Sequence, residues 1–202
     1  MRKTIFLFLV AFSSCLMAQR VKVITGDYNF LKDQKFIKVV FKFEGVTFAK
    51  KKITEEQYIN ERMQEIEKRA GKKEAEKWKN DWEFSKSKTF QDKFLASWNK
   101  NTKIEASTGF KRTKYTLIVE PTWISQGIFG GIGSIPAEMN STMTFVESEN
   151  PSNILMVVEG IKATGDNGIG IPNNNDRIAE CYAKTSKMLA LKVDHYVNKN
   201  RF

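Results

Sequence analysis

The sequence has very few of the residues from which metal sites and nucleophilic active sites are usually built. Among its 202 residues it has two cysteines and one histidine. That histidine, His195, stands near the end of a predicted helix, and no nucleophile motif surrounds Cys181. No spacing of His, Cys and carboxylates resembles a zinc site, and no calcium-binding loop occurs. The sequence therefore predicts no catalytic residue, no metal and no cofactor, and it leaves open only an enzyme built on Asp, Glu and Tyr.

The chain also lacks an apolar run of about 20 residues, the length needed to span a bilayer. Its compact apolar run, residues 5–12, follows the positive Arg2 and Lys3 and precedes small or neutral residues that end at Ala18. A positive start, a short apolar segment and a cleavage-like site in that order are typical of a secretory signal peptide. We therefore predict a signal peptide over residues 1–18 and an exported protein, periplasmic or secreted, with no transmembrane segment in the mature chain.

Cys15 leaves a second route of maturation open. Residues 12–15, Phe-Ser-Ser-Cys, match the outline of a lipobox, which would make Cys15 a lipidated residue and the protein an outer-membrane lipoprotein. Phe12 fits a lipobox poorly, so cleavage after Ala18 is the favoured alternative. In that soluble form Cys181 is the one cysteine left, and no intramolecular disulfide is possible.

The rest of the chain has no linker rich in Pro, Gly or Ser, so residues 19–202 are expected to form one domain. Alternating apolar residues predict strands over residues 35–43, 114–124, 138–148 and 153–163. A helical insert is expected at about 54–101, opened by Thr54 and Gln57 as a capping box. Apolar residues at spacings of three and four predict a long final helix capped by Asp176. The order β, helical insert, βββ, α predicts an α+β fold: a two-layer domain with a small, mostly antiparallel sheet packed by helices.

Positive charge is concentrated in and around the helical insert. Residues 50–114 contain 18 Lys and Arg against 11 Asp and Glu. Interleaved lysine and tryptophan would indicate nucleic acid in a cytosolic protein, but the export signal argues against that partner. We therefore expect no nucleic acid and an anionic envelope surface or an envelope protein as partner, with a merely solvated basic face as the alternative.

Two glycine-rich segments, residues 127–133 and 168–172, combine glycine with apolar residues. A nucleotide-binding loop must lead into a helix, whereas Pro136 and another strand follow the first segment, so a nucleotide site is not expected. In an up-down-up meander the loops after 124 and 163 leave the same end of the sheet. We predict that they form an adaptable apolar binding rim, with ordinary loops as the alternative. The predicted rim residues are Trp123, Phe129, Gly130, Ile132, Gly133, Ile169 and Gly170.

Several segments carry a resemblance to known proteins. They are residues 38–41, 55–59, 76–78, Trp82, 93–95, Asn99, 114–119, 144–147 and 177–184. On these segments the chain resembles a family of secreted proteins of Gram-negative bacteria of the Bacteroides kind, for which no activity is established. The resemblance spans nearly all of the mature chain, and its motifs are structural. It implies a compact α+β domain, similar to envelope-lipoprotein domains that pair a short sheet with a long terminal helix, and it supplies no site residues.

The sequence thus favours a non-enzymatic binding or interaction module of the cell envelope. A small-ligand or lipid carrier is the alternative, with a pocket between sheet and helices lined by Trp78, Trp82 and Trp98. A hydrolase of unrecognised type is the third hypothesis.

Overall fold

The computed structural model describes residues 20–128, 135–165 and 173–199. The strands are β1 (Arg20–Gly26), β2 (Phe36–Phe41), β3 (Thr47–Phe48), β4 (Glu105–Ser107), β5 (Tyr115–Ser125), β6 (Ala137–Glu147) and β7 (Ile154–Gly165). The helices are α1 (Glu55–Ala70), α2 (Lys72–Phe84), α3 (Phe90–Asn101) and α4 (Asn174–Lys199), with a 3-10 turn at Asn29–Leu31. Of the helices in the described ranges, none combines the length and the apolar character needed to cross a bilayer.

The strands form one mixed, open sheet of seven strands in the order β1-β7-β6-β5-β2-β4, with β3 paired to β5 beside the end of β2. The pairs β1–β7, β7–β6 and β6–β5 are antiparallel, whereas β2 runs parallel to β4 and β5, and β3 runs parallel to β5. The fold is therefore α+β as predicted, but the prediction of a small, mostly antiparallel sheet is wrong. The four strands predicted from alternation are all present, and β1, β3 and β4 enlarge the sheet.

The parallel pairing follows from the helical insert. All three helices α1 to α3 lie in the connection between β2 and β5. A tight turn reverses a chain, whereas a long helical crossover returns it to the same end of the sheet, so the next strand runs parallel to the first. The insert therefore determines the direction of β2 relative to β5.

The insert begins with the predicted capping box. Gln57 N donates to Thr54 Oγ1 at 3.2 Å and Thr54 N donates to Gln57 Oε1 at 3.0 Å, which confirms the capping box. Gly71, with a φ of +91°, separates α1 from α2, because this left-handed conformation suits glycine. After Gly71, α2 and α3 form one continuous helical segment, since a π-helical turn at Ser85–Thr89 joins them.

The core lies between the helices and the sheet face that carries the inward residues of β5, β6 and β7. Buried side chains alternate along these strands, as the sequence predicts for strands covered on that face. The predicted face of the final helix is buried against them. Its buried members are Ile178, Tyr182, Thr185, Leu189 and Val193.

Helix α4 begins two residues before the predicted cap. Asn175 N donates to Asn173 Oδ1 at 2.8 Å, and Arg177 N donates to Asn173 O at 3.2 Å. The side chain of Asn173 therefore caps the otherwise unpaired amide of Asn175, a role that asparagine and aspartate share, and its carbonyl accepts the first helical hydrogen bond. The expectation that Asp176 caps this helix is wrong, and Asp176 is an exposed residue of the first turn.

Candidate binding site at one end of the sheet

Strands β5 and β7 end, and β6 begins, at the same end of the sheet, which we call the rim end. Ser125 pairs with Glu138, and Ala137 pairs with Gly165. The chain therefore leaves β5 and β7 at one edge, as the predicted meander requires. Of the predicted rim residues, Phe129, Gly130, Ile132, Gly133, Ile169 and Gly170 lie outside the described residues.

Trp123 is the predicted rim residue that the structure describes. It is half-buried, and its indole Nε1 donates to the carbonyl oxygen of Ala49 at 2.8 Å. Ala49 N in turn donates to Ile124 O at 2.9 Å. Trp123 therefore acts at the rim end by fastening the turn after β3 to strand β5.

That turn, Ala49–Lys52, carries three consecutive exposed lysines, and we call it the lysine turn. Phe48 and Ile53 close it with paired backbone hydrogen bonds of 2.8 and 3.0 Å. Ala49 and Lys52 have φ values of +57° and +53°, the left-handed region that costs a non-glycine residue free energy. Residues of both ends of the turn are thus held in unfavourable conformations while Lys50, Lys51 and Lys52 project into solvent.

Beside the lysine turn, the hairpin between β5 and β6 carries an exposed apolar pair. Ile128 N donates to Ile135 O at 2.8 Å, and Ile135 N donates to Ile128 O at 2.9 Å. The side chains are 59% and 56% exposed, respectively. We call these two residues the isoleucine pair. Sequence reasoning missed this pair, because Ile128 lies inside the glycine-rich segment and Ile135 just beyond it.

The lysine turn, the isoleucine pair and helix α1 enclose a cleft of about 450 Å³, the rim cleft. Ile53 and Ile124 contribute apolar surface. The charged lining is mixed: Lys50 and Arg62 are positive, Glu61 and Glu65 are negative, and Arg62 is paired with Glu65. Tyr58 lies at its inner side, where its hydroxyl donates to Gln126 Oε1 at 2.6 Å. Burial raises the pKa of Tyr58, so its hydroxyl stays protonated and acts as a donor. The cleft therefore combines an apolar wall with fixed polar groups, a composition common in ligand sites.

Behind the rim cleft, Arg177 ties the first turn of α4 to the end of β5. Its side chain is 1% exposed, and its Nε and Nη2 donate to Gln126 O at 3.3 and 3.1 Å. Nη2 also donates to Asn174 Oδ1, and Asn174 Nδ2 donates to Gln126 Oε1 at 3.1 Å. Burial, with a smaller contribution from Arg62, lowers the pKa of Arg177, although a guanidinium remains charged at neutral pH. The sequence had marked no role for Arg177.

A glycine makes the approach of α4 possible. A Cβ added to Gly165 would lie 1.8 Å from Arg177 O and 2.9 Å from Cys181 Sγ. The last residue of β7 therefore packs directly on the backbone of α4, and any side chain there would push the helix away. Through Gly165 and Arg177, α4 is fixed to both strands that end at the rim.

A second cleft, also about 450 Å³, opens between α1, α2 and the start of α4. Trp78 and Arg62 both line it. Their Nε1 and Nε atoms are buried and have no hydrogen-bond partner among the described residues. Trp82 and Trp98, which were predicted to line a pocket with Trp78, are fully buried instead. Both pack in the core and donate their indole N–H groups to Glu55 and to the carbonyl of Ile104.

The residues with nucleophilic or acid–base potential do not meet. Cys181 is fully buried, its Sγ donates to Arg177 O at 3.6 Å, and burial raises the pKa of the thiol. His195 is exposed in the same helix, and the separation of 14 positions in sequence corresponds to about 21 Å of helix. Cys181 and His195 therefore cannot form a Cys/His pair in this chain. Within the described ranges, no three His, Cys, Asp or Glu residues are grouped as a metal site would need.

An open mixed sheet with a long C-terminal helix places the chain in the α+β class. No protein-family model matches it, and no curated protein matches its sequence. Among solved structures it is similar to the PelC dodecamer from Paraburkholderia phytofirmans, with 11% identity, a TM-score of 0.45, and coverage of 88% of this chain and 98% of that chain. A single-residue variant of that protein matches with 10% identity, a TM-score of 0.42 and the same coverage. Likeness at this level carries neither an activity nor an assembly over to this chain, and the resemblance to the Bacteroides-type family stays a prediction.

Proposed function

We propose that this chain is an exported protein of the cell envelope that binds a partner at the rim end and performs no chemistry there. One observation carries the proposal: the isoleucine pair is exposed beside a cleft whose walls are fixed by Trp123, Tyr58 and Arg177. Adjacent exposed apolar residues on a rigid support favour an interaction surface, whereas single scattered ones need no explanation. The buried thiol of Cys181 and its separation from His195 support a binding role over a catalytic one.

Site-specific photo-crosslinking tests this proposal in the exported protein. A photoreactive phenylalanine analogue replaces Ile135 at the rim end or Ile154 at the start of β7, at the opposite end of the sheet. Both isoleucines are 56% exposed, so the two positions are matched in accessibility. We expect a defined adduct, identified by its mass, from position 135 and none from position 154. Equal adducts from both positions, or none from position 135, would contradict a binding surface at the rim end.

A small-ligand or lipid carrier is the second candidate, and the cleft beside Trp78 favours it. The cleft has room for a small ligand, and it adjoins Nε1 of Trp78 and Nε of Arg62, which have no partner in the described part of the chain. Titration of the purified protein with envelope lipid extract should then change the tryptophan fluorescence. The change should persist in Trp123→Phe and vanish in Trp78→Phe. An unchanged spectrum in the wild type would rule out a carrier that uses this cleft.

A further inference from the structure

We propose that the partner of the rim end is the headgroup layer of an anionic lipid bilayer. The lysine turn would face the lipid phosphates, and the isoleucine pair would enter the layer beneath them. The inference rests on the proposed function, because it uses the same surface and names its partner. Three features of the molecule support it: the exposed cations of the lysine turn, their position beside the apolar pair, and the end of the sheet at which β1 begins.

The lysine turn offers three positive charges, although Glu61 and Glu65 line the same cleft as Lys50. Lys50, Lys51 and Lys52 are exposed and make no ion pair with any described residue. The hydrogen bond from Trp123 Nε1 to Ala49 O holds the turn in place. Clustered lysines at a fixed position attract anionic headgroups, each lysine strengthening binding by roughly five-fold.

The apolar pair lies next to these cations. Strand β3, which leads into the lysine turn, pairs with β5, which leads to Ile128. Lys50, Ile128 and Ile135 line the same cleft. Apolar side chains that enter the headgroup boundary, flanked by lysines, are the pattern of peripheral membrane contacts.

The chain also enters the sheet from the rim end. Arg20 pairs with Ile161 and Gly26 with Met156, so Arg20 is the end of β1 that lies nearer to the end of β7 at Gly165. Gly165 is four residues beyond Ile161, a distance of about 13 Å along a strand. Cys15 precedes Arg20 by five residues, which can span at most about 17 Å. A lipid on Cys15, the alternative route of maturation, would therefore reach a bilayer against which the rim end rests.

A lipid surface suits these side chains better than a folded protein does. Cores of protein interfaces are poor in lysine and rich in Arg, Tyr and Trp. Lysine is a strongly hydrated point charge on a flexible stem, which can follow mobile phosphates without fixed geometry. The exposed cations of the lysine turn are lysines, and the exposed apolar residues beside them are the isoleucine pair. Tyr58 is buried and Trp123 half-buried, and the half-buried Arg62 is paired with Glu65.

Vesicle co-sedimentation of the protein lacking residues 1–18 tests the proposal without a lipid anchor. All described contacts lie within residues 20–199, so this form retains them. The vesicles contain phosphatidylglycerol and phosphatidylcholine in equal parts, or phosphatidylcholine alone.

One variant combines Lys50→Gln, Lys51→Gln and Lys52→Asn, with asparagine at position 52 because it tolerates the left-handed conformation. The matched control combines Lys111→Gln, Arg112→Gln and Lys114→Gln, which removes three exposed cations about 35 Å away at the opposite end of the sheet.

We expect binding to the anionic vesicles and little to phosphatidylcholine alone, with loss in about 0.5 M salt. The lysine-turn variant should bind the anionic vesicles roughly 100-fold more weakly, and the double variant Ile128→Ser/Ile135→Ser roughly 10-fold more weakly. The affinity of the control variant should change less than about three-fold.

Equal losses in the lysine-turn variant and the control would overturn the proposal, since net charge alone would then explain binding. An absence of vesicle binding together with a protein adduct at position 135 would overturn the lipid partner and leave the proposed function standing. An absence of both would overturn both.

Discussion

The two ends of the sheet are closed by polar groups in different ways. At the end where β5 and β7 begin, three hydroxyl groups bond to one another: Thr116 Oγ1 lies 2.8 Å and Thr113 Oγ1 lies 3.2 Å from Ser148 Oγ. At the rim end, the charged side chain of Arg177 is buried and bonds to the backbone of Gln126. A neutral hydroxyl can replace a lost partner with water at a small cost in free energy. A buried charge that loses its partners destabilises the fold much more.

Because of this difference, the rim end contributes both to the stability of the fold and to the candidate site. The same contacts that fix α4 on the sheet also form the back of the rim cleft. Changes at the rim end should therefore cost more free energy of unfolding than matched changes at the opposite end. Four substitutions test that comparison.

The largest effect is expected from Gly165→Ala. The added Cβ would meet the carbonyl oxygen of Arg177 at 1.8 Å, and that oxygen belongs to a helix backbone that cannot rotate away. Because α4 must shift as a whole, we expect a loss of about 4 kcal/mol or more in the free energy of unfolding, measured by urea denaturation. Gly109→Ala is the control, since its Cβ would meet Ser107 Oγ at an ordinary 3.5 Å. A loss below about 1 kcal/mol for Gly165→Ala would show that α4 is not seated on β7 as described.

Arg177→Met should have the next largest effect. Methionine fills much of the same volume but leaves Gln126 O and Asn174 Oδ1 without the donors they now have. We expect about 3 kcal/mol of destabilisation by chemical denaturation. Arg112→Met, at an exposed position of the opposite end, should stay within about 0.5 kcal/mol of the wild type. Similar values for the two variants would remove the distinction between the ends.

Periodicity in the sequence was enough to predict α4 and the meander of β5, β6 and β7. These elements are long, and each buries one regular face, so the spacing of apolar residues reports their structure directly. Strands β3 and β4 have two and three residues, too few for alternation to be recognised. The parallel pairing of β2 with β5 depends on a crossover, which the predicted insert implied but the prediction did not use.

The location of the candidate site was predictable, and its residues were not. A meander brings the loops after β5 and β7 to one end whatever their sequence. The isoleucine pair depends on a bridge between Ile128 and Ile135 that no local pattern specifies. Arg177 is a charged residue on a helix, which sequence rules place in solvent, and only tertiary contacts make its burial favourable.

Thr116→Val should have a smaller effect, because it acts at the hydroxyl cluster. Thr116 is 8% exposed, and valine keeps its shape while removing the 2.8 Å contact with Ser148. Ser148 retains Thr113 as a partner. We expect a loss of about 1 kcal/mol in thermal or urea unfolding. A loss as large as that of Arg177→Met would mean that the two ends contribute equally.

The smallest change is expected at the lysine turn, from Ala49→Gly. Ala49 has a φ of +57°, so glycine relieves strain there but also gives the unfolded chain more freedom. The two effects partly cancel, and we expect a gain of about 0.5 kcal/mol in the free energy of unfolding. Gly45, four residues earlier, allows the opposite test, a change from glycine to alanine. It has a φ of +73°, and an added Cβ would have nothing within 4 Å. Gly45→Ala should therefore cost about 1 kcal/mol from backbone strain alone. If Ala49→Gly instead destabilised the protein by as much as Gly45→Ala, the left-handed conformation of Ala49 would be wrong.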